Sequence, residues 1–485
     1  MAKALLINPA NNLLSNYLYR SLIVPPIPPA NLAYLAAKAA EHGDHTVDIH
    51  DQFLERTPTA QLARLAVEGR YELVGISCLT TSDSAVCDLG QALRREGFQG
   101  KIVLGNTHAS VYADSLLRTG WFDIVAHGEG ELTFKQLLDN QSRAEPLERI
   151  AGISFLSNGE LQATQPRELI HNLDSLPHPA WDRLPIGRYN YHPSLFLYEP
   201  TLPIQASRGC PYNCFMCAQD ALLKPFRRRS PASVVAEIEE NIGRYGVRSF
   251  GFLDSYFPPD RAWGEEFVRR VRRDLASLSF RFCIEARSDG IDEPLFRELA
   301  KIGLHNVAVG FEAGTDESLT RIGKGTTVEQ GRRAMDVLRR IKVSTTGFFM
   351  IGFPWEDEAM IRRTISYGLD LRPDLLKFNI AVPLPGSRFH DWLIQKSRDD
   401  IECDEMTAWT GLLRGSKRKA RYDYTSLTDR TLLRLQRKGM IRHYSRPSVL
   451  LRLIRFGTLR PRNLLPMALI WLRLLNPLTR GGRQA

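Results

Sequence analysis

Three cysteines within eight residues are the strongest chemical signal in this sequence. Cys210, Cys214 and Cys217 have the spacing Cys-x3-Cys-x2-Cys and follow a short apolar run that ends at Ile204. This spacing lets three thiolates point at one centre, whereas a [4Fe-4S] cube asks for four ligands. One iron would then stay open to a small chelating molecule. The spacing therefore predicts an iron–sulfur cluster with one open iron.

Two other interpretations of these cysteines fit less well. A structural zinc ion takes four ligands, usually as two pairs, and no second pair occurs in the sequence. Seven cysteines in 485 residues are too sparse for a disulfide-stapled fold. The isolated Cys78, Cys87 and Cys283 are typical of small buried apolar residues, and Cys403 is the one isolated cysteine that we expect could face an active site.

The first 140 residues alternate strand-like and helix-like segments. This alternation predicts a parallel sheet with helices on both faces, whose ligands bind beyond the carboxyl ends of the strands. Neither Gly-x-Gly-x-x-Gly nor a P-loop motif occurs there, so a dinucleotide or P-loop nucleotide is disfavoured. The predicted strands cover residues 4–7, 45–50, 73–77, 101–104 and 123–125.

A proline-rich stretch follows and separates two regions of alternating structure. Asn158-Gly159 predicts a tight hairpin turn, and the prolines of residues 176–182 favour a linker. From residue 201 to about 395, strand and helix alternate again, with Ser230-Pro231 opening a helix. Counting the run before the cysteines gives six strands, fewer than the eight of a closed barrel. The later five cover residues 250–253, 280–284, 306–311, 344–351 and 376–382.

The cysteine motif resembles that of radical S-adenosylmethionine (SAM) enzymes, in which SAM chelates the open iron. The front segment resembles the cobalamin-binding domain that precedes many such modules: it has Ser77-Cys78-Leu79, Gly105-Asn106 and the turn Gly128-Glu129-Gly130-Glu131. The whole sequence is similar to cobalamin-dependent radical SAM enzymes, including the anaerobic magnesium-protoporphyrin ester cyclases and the hopanoid methylases.

This resemblance implies an α/β fold with three cofactors: a [4Fe-4S] cluster, SAM and cobalamin. A Rossmann-like cobalamin-binding domain would cover residues 1–140 and a linker residues 141–200. A radical SAM (β/α)6 partial TIM barrel would cover residues 201–395, and a basic helical region residues 396–485.

The resemblance also implies roles for residues at the carboxyl ends of the strands. Cys210, Cys214 and Cys217 would bind the cluster. Asp254 would contact the amino group of SAM, Arg287 and Glu312 its carboxylate and ribose, and Gly352 and Val382 its adenine. Cobalamin would lie against Ser77, Leu79, Gly105 and Gly128. From the residues alone, Asp254 and Glu312 could instead cap the next helix, and Arg287 could form a surface ion pair.

The loop after the first strand, residues 8–12, contains no histidine. Cobalamin mutases carry their cobalt-ligating histidine in that loop, so we expect the lower face of cobalamin to lack a histidine ligand here. Asp48-Ile49-His50 looks like a piece of the motif but follows the second strand, and we interpret it as a strand end. A degenerate α/β domain without any ligand is the alternative for this segment.

The implied activity is radical methylation of an unactivated carbon. Oxidative cyclisation with the same cofactors is the runner-up, and a non-catalytic cluster or cobalamin sensor is an alternative from another class. A transfer-RNA methylthiotransferase would need three more cysteines in the front domain, which Cys78 and Cys87 cannot supply. We therefore expect a small, lipophilic substrate, no nucleic acid, and a reductant such as flavodoxin or ferredoxin.

The charge of the chain is concentrated in its tail. After residue 410 there are 18 lysines and arginines against two aspartates, which is a net charge of +16. Because the whole chain has a net charge of +10, residues 1–410 have a net charge of −6. Leucine, isoleucine, phenylalanine and tryptophan alternate with these arginines, which is typical of a helix on a membrane surface. A helical cap on the barrel is equally compatible. The N-terminus has no cleavable signal pattern, and we expect a cytoplasmic protein with peripheral membrane contact.

Overall fold

The computed structural model describes residues 1–10, 27–143, 145–189, 200–218, 225–397 and 425–456. Several features discussed above lie outside the described residues. They are the end of the loop after the first strand (residues 11–12), Cys403, the basic run 417–421 and the apolar run 464–475.

The N-terminal region forms a seven-stranded sheet in the order β2-β1-β3-β4-β5-β6-β7. The first five strands pair in parallel, and β6 and β7 are antiparallel. Its strands are Lys3–Asn8, Thr46–Asp51, Leu73–Ser77, Lys101–Gly105, Ile124–Ala126, Ile153–Ser157 and Glu160–Ala163. Its helices are Ala30–Ala39, Gln52–Glu55, Thr59–Glu68, Asp83–Arg95, Thr107–Val111, Ala113–Arg118 and Gly130–Arg143.

Alternating side chains of the parallel strands build a core on each face of this sheet. Leu5 and Ile7 pack into one cluster with Val74 and Ile76. Ala4 and Leu6 point to the opposite face and pack into a second cluster. Successive strand residues face opposite sides of a sheet, so an uninterrupted apolar strand is the pattern of a strand covered on both faces. The predicted two-faced parallel sheet is confirmed.

The hairpin predicted at Asn158-Gly159 is present. Both turn residues have positive φ, 51° and 79°, as a tight hairpin turn requires. Strand β6 pairs with β5, so the hairpin extends the first sheet. The proline-rich stretch after it forms short 3-10 turns, and Trp181 and Tyr189 from this stretch are fully buried in the core of the barrel. The range expected to be a linker thus contributes to both cores.

The second sheet has six parallel strands, β8 and β11 to β15, in the order β15-β14-β13-β12-β11-β8. The two short strands numbered between them, β9 (Ser207–Arg208) and β10 (Arg227–Arg228), form a separate pair. Because β8 and β15 do not pair with each other, the barrel is open, as the count of six strands predicted. Its strands are Thr201–Ile204, Ser249–Phe252, Arg281–Arg287, Leu304–Glu312, Ser344–Ile351 and Leu375–Ile380. Its helices are Pro231–Tyr245, Arg261–Asp274, Glu293–Lys301, Asp316–Ile322, Val328–Ile341, Glu358–Leu371 and Arg388–Ser397.

A C-terminal helix, Asp429–Tyr444, covers the open edge at β15. The Tyr444 hydroxyl accepts a hydrogen bond from the Leu376 N–H at 3.0 Å and donates one to the Leu376 carbonyl at 2.9 Å. Gln436 donates to the Phe378 carbonyl at 2.7 Å. An uncovered edge strand would leave these backbone groups unpaired. The first helix of the basic tail is therefore a cap on the barrel.

A second tail helix, Pro447–Arg455, continues from this cap. Arg452 forms an ion pair of 2.8 Å with Asp374, which precedes β15. Among the described residues, no helix has the length and apolarity needed to cross a bilayer.

Candidate active site

The three cysteines lie on a loop that follows β8 at the carboxyl edge of the barrel. Before the loop, a two-residue strand β9, Ser207–Arg208, pairs with β10, Arg227–Arg228. Gly209, between this strand and Cys210, has φ +83°, a conformation that favours glycine. All three thiols are half-buried, and none of the described cysteines forms a disulfide. They are therefore accessible to an inorganic cluster.

The middle of the loop is anchored by Phe215. Its N–H donates to the Ile322 carbonyl at 2.7 Å, and its carbonyl accepts from the Phe389 N–H at 2.9 Å. Its ring stacks on Phe389, with centroids 4.9 Å apart, and packs against Trp355 at 5.2 Å. Phe215 belongs to a buried apolar cluster that Met216 contacts, so apolar side chains lie against the cysteine loop.

The donor set of the loop fits a cluster. It consists of three thiols, the ligand type that holds iron–sulfur clusters, and a cube takes each thiolate on a separate iron. The pKa of Cys214 is raised, first by burial and then by the charges of Glu312 and Cys217, and the cations Lys324 and Arg287 offset only part of this rise.

Asp254 follows β11 and is fully buried beside the start of the cysteine loop. It accepts hydrogen bonds from the Ala206 N–H at 3.1 Å and from the Ser207 hydroxyl. Burial raises its pKa to about 6. Asp254 thus fixes the backbone that leads into the cysteines, rather than capping the next helix.

Arg287, at the end of β12, connects the barrel to the cysteine loop. Its guanidinium lies 3.4 Å from the ring centroid of Tyr212, which stands between Cys210 and Cys214. It also donates to Asp289 at 2.9 Å and to the Lys324 carbonyl at 2.7 Å. The arginine is buried, so the alternative of a surface ion pair is wrong.

Glu312, at the end of β13, accepts a hydrogen bond from the Lys324 amine at 2.9 Å. Both side chains are buried, and Glu312 has φ +60° at an irregularity in the pairing of β13 with β14. Sequence reasoning missed Lys324, although Gly323 and Gly325 flank it and both have positive φ. A lysine between two glycines was the available signal. Because both Lys324 and Glu312 act electrostatically on Cys214, this pair lies beside the cysteine loop.

Gly352 and Val382 lie on the turns after β14 and β15. The Gly352 N–H donates to the Glu356 carboxylate at 2.7 Å, and a Cβ at Gly352 would lie 3.2 Å from Leu432 of the capping helix. Glu356, which the sequence did not single out, also accepts from the Phe353 N–H at 3.1 Å. The N–H of Gly352 is thus already paired. Val382 is half-buried at the rim.

The predicted cobalamin residues meet at the carboxyl edge of the first sheet. Ser77 ends β3 and accepts hydrogen bonds from Asn31 at 3.3 Å and Asn106 at 3.2 Å. Leu79 is exposed. At Gly105 and Gly128, a Cβ would meet no atom within 4 Å. An exposed leucine and two glycines that face open space at this edge are compatible with a flat corrin ring lying against the backbone.

Asn106 follows Gly105 in a backbone conformation that favours glycine. Its φ of +85° is one that L side chains rarely adopt, and its side-chain oxygen accepts from the Thr107 N–H at 2.8 Å. This hydrogen bond helps the asparagine to hold that backbone shape. His50 is the last residue but one of β2, with Nε2 2.8 Å from the Thr57 hydroxyl. This placement agrees with the interpretation of Asp48-Ile49-His50 as a strand end.

Four buried charges join the two sheets, and we call them the interdomain ion cluster: Glu129, Glu131, Arg208 and Arg227. Arg208 donates to Glu129 at 2.9 Å and to Glu131 at 2.6 Å. Arg227 donates to Glu129 at 2.7 Å. Burial alone would raise the pKa of Glu129, but the hydrogen bonds from Arg227 and Arg208 lower it. The Gly-Glu-Gly-Glu turn therefore forms ion pairs with β9, which precedes the cysteine loop, and with β10, which follows it.

A second contact between the two sheets lies on the other side of the cysteine loop. The Tyr112 hydroxyl is 3.0 Å from Nε2 of the buried His390. His390 belongs to the helix Arg388–Ser397, whose Phe389 stacks on Phe215. Both contacts connect elements at the carboxyl edge of the first sheet to the elements that hold the cysteines. Sequence reasoning could not find them because the partners are far apart in the chain.

Comparisons with known proteins match two regions of the chain to protein families. Residues 21–138 match the B12 binding domain family, and residues 204–367 match the radical SAM superfamily. An uncharacterized methyltransferase of Pyrococcus horikoshii is 29% identical over 88% of this chain and 89% of its own length. The anaerobic magnesium-protoporphyrin IX monomethyl ester cyclase of Cereibacter sphaeroides is 27% identical over 77% of this chain and 61% of its own length.

The fold is also that of a solved structure. The radical SAM methyltransferase TsrM of Kitasatospora setae, bound to tryptophan and a SAM analogue, has a TM-score of 0.67 at 19% identity, covering 82% of this chain and 76% of TsrM. Another structure of TsrM contains cobalamin and a [4Fe-4S] cluster. At this identity the likeness shows a shared architecture, and that architecture is the α/β arrangement predicted from the sequence.

Proposed function

Because this chain belongs to the cobalamin-dependent radical SAM enzymes, whose cofactors are a [4Fe-4S] cluster, SAM and cobalamin, we propose that it methylates an unactivated carbon of a lipophilic substrate. The observation that supports this most is that charged residues of the barrel and of the first sheet meet at the cysteine loop. The half-buried thiols lie beside Arg287 and the Lys324–Glu312 pair. The interdomain ion cluster ties the same loop to the B12 binding domain.

The cofactors, when bound, supply one-electron cleavage of SAM and a cobalt-borne methyl group. The residues of this chain would position them. Cys210, Cys214 and Cys217 would hold the cluster, and Asp254 and Arg287 would keep the loop in shape through Ser207 and Tyr212. We place Arg287 at the SAM carboxylate and Glu312 at the ribose, with Gly352 and Val382 near the adenine and Asp254 near the amino group.

Water must be kept from a radical reaction, and the site has apolar residues for this purpose. Phe215, Phe353 and Phe389 form a buried apolar cluster under the cysteine loop. At the rim of the barrel, Leu253 and Leu384 are exposed, by 46% and 37%. A lipophilic substrate such as an isoprenoid lipid or a tetrapyrrole would cover these leucines and displace water from the barrel.

Oxidative cyclisation without methyl transfer is the second candidate. It is favoured by the likeness to the Cereibacter sphaeroides cyclase at 27% identity. The likeness to the Pyrococcus horikoshii methyltransferase extends over more of both chains. We therefore retain methyl transfer as the leading activity.

An anaerobic reaction with deuterated methyl-SAM, cobalamin, reduced flavodoxin or ferredoxin and candidate lipids or tetrapyrroles tests this proposal. Methyl transfer predicts a product that is heavier by a labelled methyl group, together with 5′-deoxyadenosine. A product that has lost hydrogen without gaining the label would establish the cyclase instead. A protein that forms neither product nor 5′-deoxyadenosine with any of them would contradict both candidates.

We further propose that the second tail helix, Pro447–Arg455, touches an anionic membrane surface. Val449 and Leu453 face the protein, whereas Leu451 and Ile454 are 67% and 59% exposed beside Arg455. Each large apolar side chain that enters the bilayer interface contributes roughly 1.5 to 3 kcal/mol, and each nearby cation about 1 kcal/mol.

The membrane contact is tested by sedimentation with phosphatidylglycerol vesicles. A chain that ends at Arg446 keeps the cap on β15 and should lose sedimentation. The full chain carrying Leu451→Gln and Ile454→Gln should bind several-fold less than wild type. Phosphatidylcholine vesicles are the control for charge. Equal sedimentation of all three proteins would refute the contact.

A further inference from the structure

The open barrel directs alternate side chains of its strands into its interior. The pairing register places Glu285 of β12 level with Ala308 of β13. The Glu285 side chain is accessible to solvent, although protein surrounds it on most sides. Its charged neighbours are Glu312, Lys324 and Asp254. Glu285 thus lies inside the barrel, close to the residues that we assign to SAM.

Lys377 of β15 faces the same interior from the opposite edge of the sheet. The register places it level with Phe348 of β14 and, through it, with Gly310 of β13. Like Glu285, its side chain is accessible but surrounded, and this partial desolvation lowers the pKa of the amine. It is one layer nearer the rim than Glu285.

Neither side chain has a partner in the part of the chain that the structure describes. No hydrogen bond or ion pair joins Lys377 or Glu285 to another side chain there, whereas the neighbouring Lys324, Arg287 and Asp254 are all paired. Both side chains are exposed to the solvent that fills the open interior, so their charged groups are available to a bound molecule. Ionisable groups with shifted pKa values that face one concave interior are candidates for ligand contacts.

The distance between the two strands leaves room for that molecule. Three inter-strand spacings of about 4.8 Å separate β12 from β15, or about 14 Å along the curved sheet. Between them, Phe348 and Met350 of β14 contribute apolar, partly accessible side chains. The interior is therefore apolar in its middle and charged at both sides. An amphiphilic molecule matches this pattern.

Resting on the proposed function, we propose that Lys377 is a specificity-determining residue that pairs with an anionic group of the substrate, a carboxylate or a phosphate. Glu285 accepts a hydrogen bond from the opposite end of the same molecule. A lipophilic substrate that carries an acidic group would bury its apolar body against Phe348 and Met350. Its anion would lie beside the Lys377 amine and favour the charged form of the lysine.

Protection of Lys377 from acetylation tests this assignment in the full-length, cofactor-loaded protein. Acetic anhydride is applied with decanoate, decyl phosphate, decan-1-ol or SAM alone, and each lysine is quantified by peptide mass spectrometry. We expect decanoate, decyl phosphate or both to slow acetylation of Lys377 about tenfold, and decan-1-ol to have little effect. The surface residues Lys101 and Lys301 are internal controls.

Each other outcome overturns the proposal. Equal protection by decan-1-ol would reduce the interior to an apolar cavity. Protection by SAM alone would assign the amine to the SAM carboxylate, and protection by nothing would leave Lys377 without an anion site. A difference between decanoate and decyl phosphate identifies the preferred acidic group.

Two variants extend the test to binding. Calorimetry without SAM measures the affinity for decan-1-ol and for the anion that slows acetylation of Lys377. Wild type should bind that anion more tightly than decan-1-ol. Lys377→Met should lose this preference, whereas Lys377→Arg should keep it. Thermal unfolding shows whether each variant is folded. A preference that persists in Lys377→Met would refute the assignment. These experiments measure binding and not turnover. A negative result for Lys377 therefore does not contradict the proposed methyl transfer, and a lack of methyl transfer does not contradict anion binding at Lys377.

Discussion

At the scale of single residues, the cysteine loop depends on partners that no local motif contains. The ring of Tyr212 packs against the guanidinium of Arg287, and the backbone of Phe215 is hydrogen-bonded to Ile322 and Phe389. The spacing of the three cysteines was sufficient to predict the loop and its cofactor class. It could not predict Lys324, because the contact with Glu312 is made by the fold and not by sequence neighbours.

Replacing Cys210, Cys214 and Cys217 together with alanine should abolish the anaerobically reconstituted cluster. Among the described residues, no other set of cysteines lies beside Arg287. Iron and sulfide analysis and the absorbance of the reconstituted protein measure this. Cys87→Ala, which removes a half-buried cysteine of the first sheet's helices, should keep full iron content. Stoichiometric iron in the triple variant would contradict the assignment.

Glu285 should make stability depend on pH near neutrality. Its pKa is raised from 4.5 to about 7 by burial first, and then by Glu312 and Asp254, against the opposing effect of Lys324. The folded protein therefore holds a proton that the unfolded chain has lost between these two values. Stability from this group is present below pH 4.5 and falls as pH rises towards 7.

Glu285→Gln removes this titration. The variant should melt at a higher temperature than wild type at pH 8, and the difference should shrink at about pH 5. Thermal unfolding of the anaerobic protein across this range measures it. A difference that is independent of pH would show that Glu285 is not the titrating group.

At the scale of elements, the alternation of strands and helices was predictable because the first five strands of the first sheet and all six strands of the barrel pair in parallel and are connected by helices. Strands such as Leu73–Ser77 and Ser344–Ile351 have the predicted bounds. The attachment of the hairpin at Asn158-Gly159 to β5 was not predictable, since pairing across the chain leaves no local pattern. The cap on β15 was one of two alternatives for the tail, and contacts of Tyr444 and Gln436 decide for its first helix.

Tyr444→Phe should weaken the edge of the barrel. The hydroxyl serves both backbone groups of Leu376, and a buried N–H left without a partner costs about 1 to 3 kcal/mol. We expect faster amide hydrogen exchange at Leu376 and Phe378, measured on peptides that cover β15. Exchange in β12, inside the sheet, serves as the control. Unchanged exchange at β15 would show that the helix is not needed to cover this edge.

At the scale of the whole molecule, the two sheets are coupled through buried charge. In the interdomain ion cluster, residues separated by 79 and 98 positions in sequence meet at 2.9 and 2.7 Å. Domain composition was predictable from motifs, but this coupling was not, because Glu129 and Arg227 have no pattern in common. The carboxylates of the first domain thereby set the position of the strands that frame the cysteines.

Glu129→Gln should destabilise the protein by about 3 kcal/mol or more, because it leaves buried Arg227 without its carboxylate partner. Thermal unfolding and the rate of proteolysis between the domains measure this. Glu329→Gln, which breaks an exposed pair with Arg333, should change stability by less than about 0.5 kcal/mol. Equal effects of the two changes would mean that the buried cluster contributes no more than a surface pair.

The buried position of Glu131 also has a consequence for the order of biosynthesis. Its partner Arg208 is translated 77 residues later, which at about 5 to 20 residues per second is a delay of about 4 to 15 seconds. During this interval the growing first sheet presents two hydrated carboxylates, those of Glu129 and Glu131. Their ion pairs with the strand before Cys210 can form only after Arg208 has been synthesised. The ribosome thus produces the vitamin-binding part first, and the framing of the cysteine loop is a later step of folding.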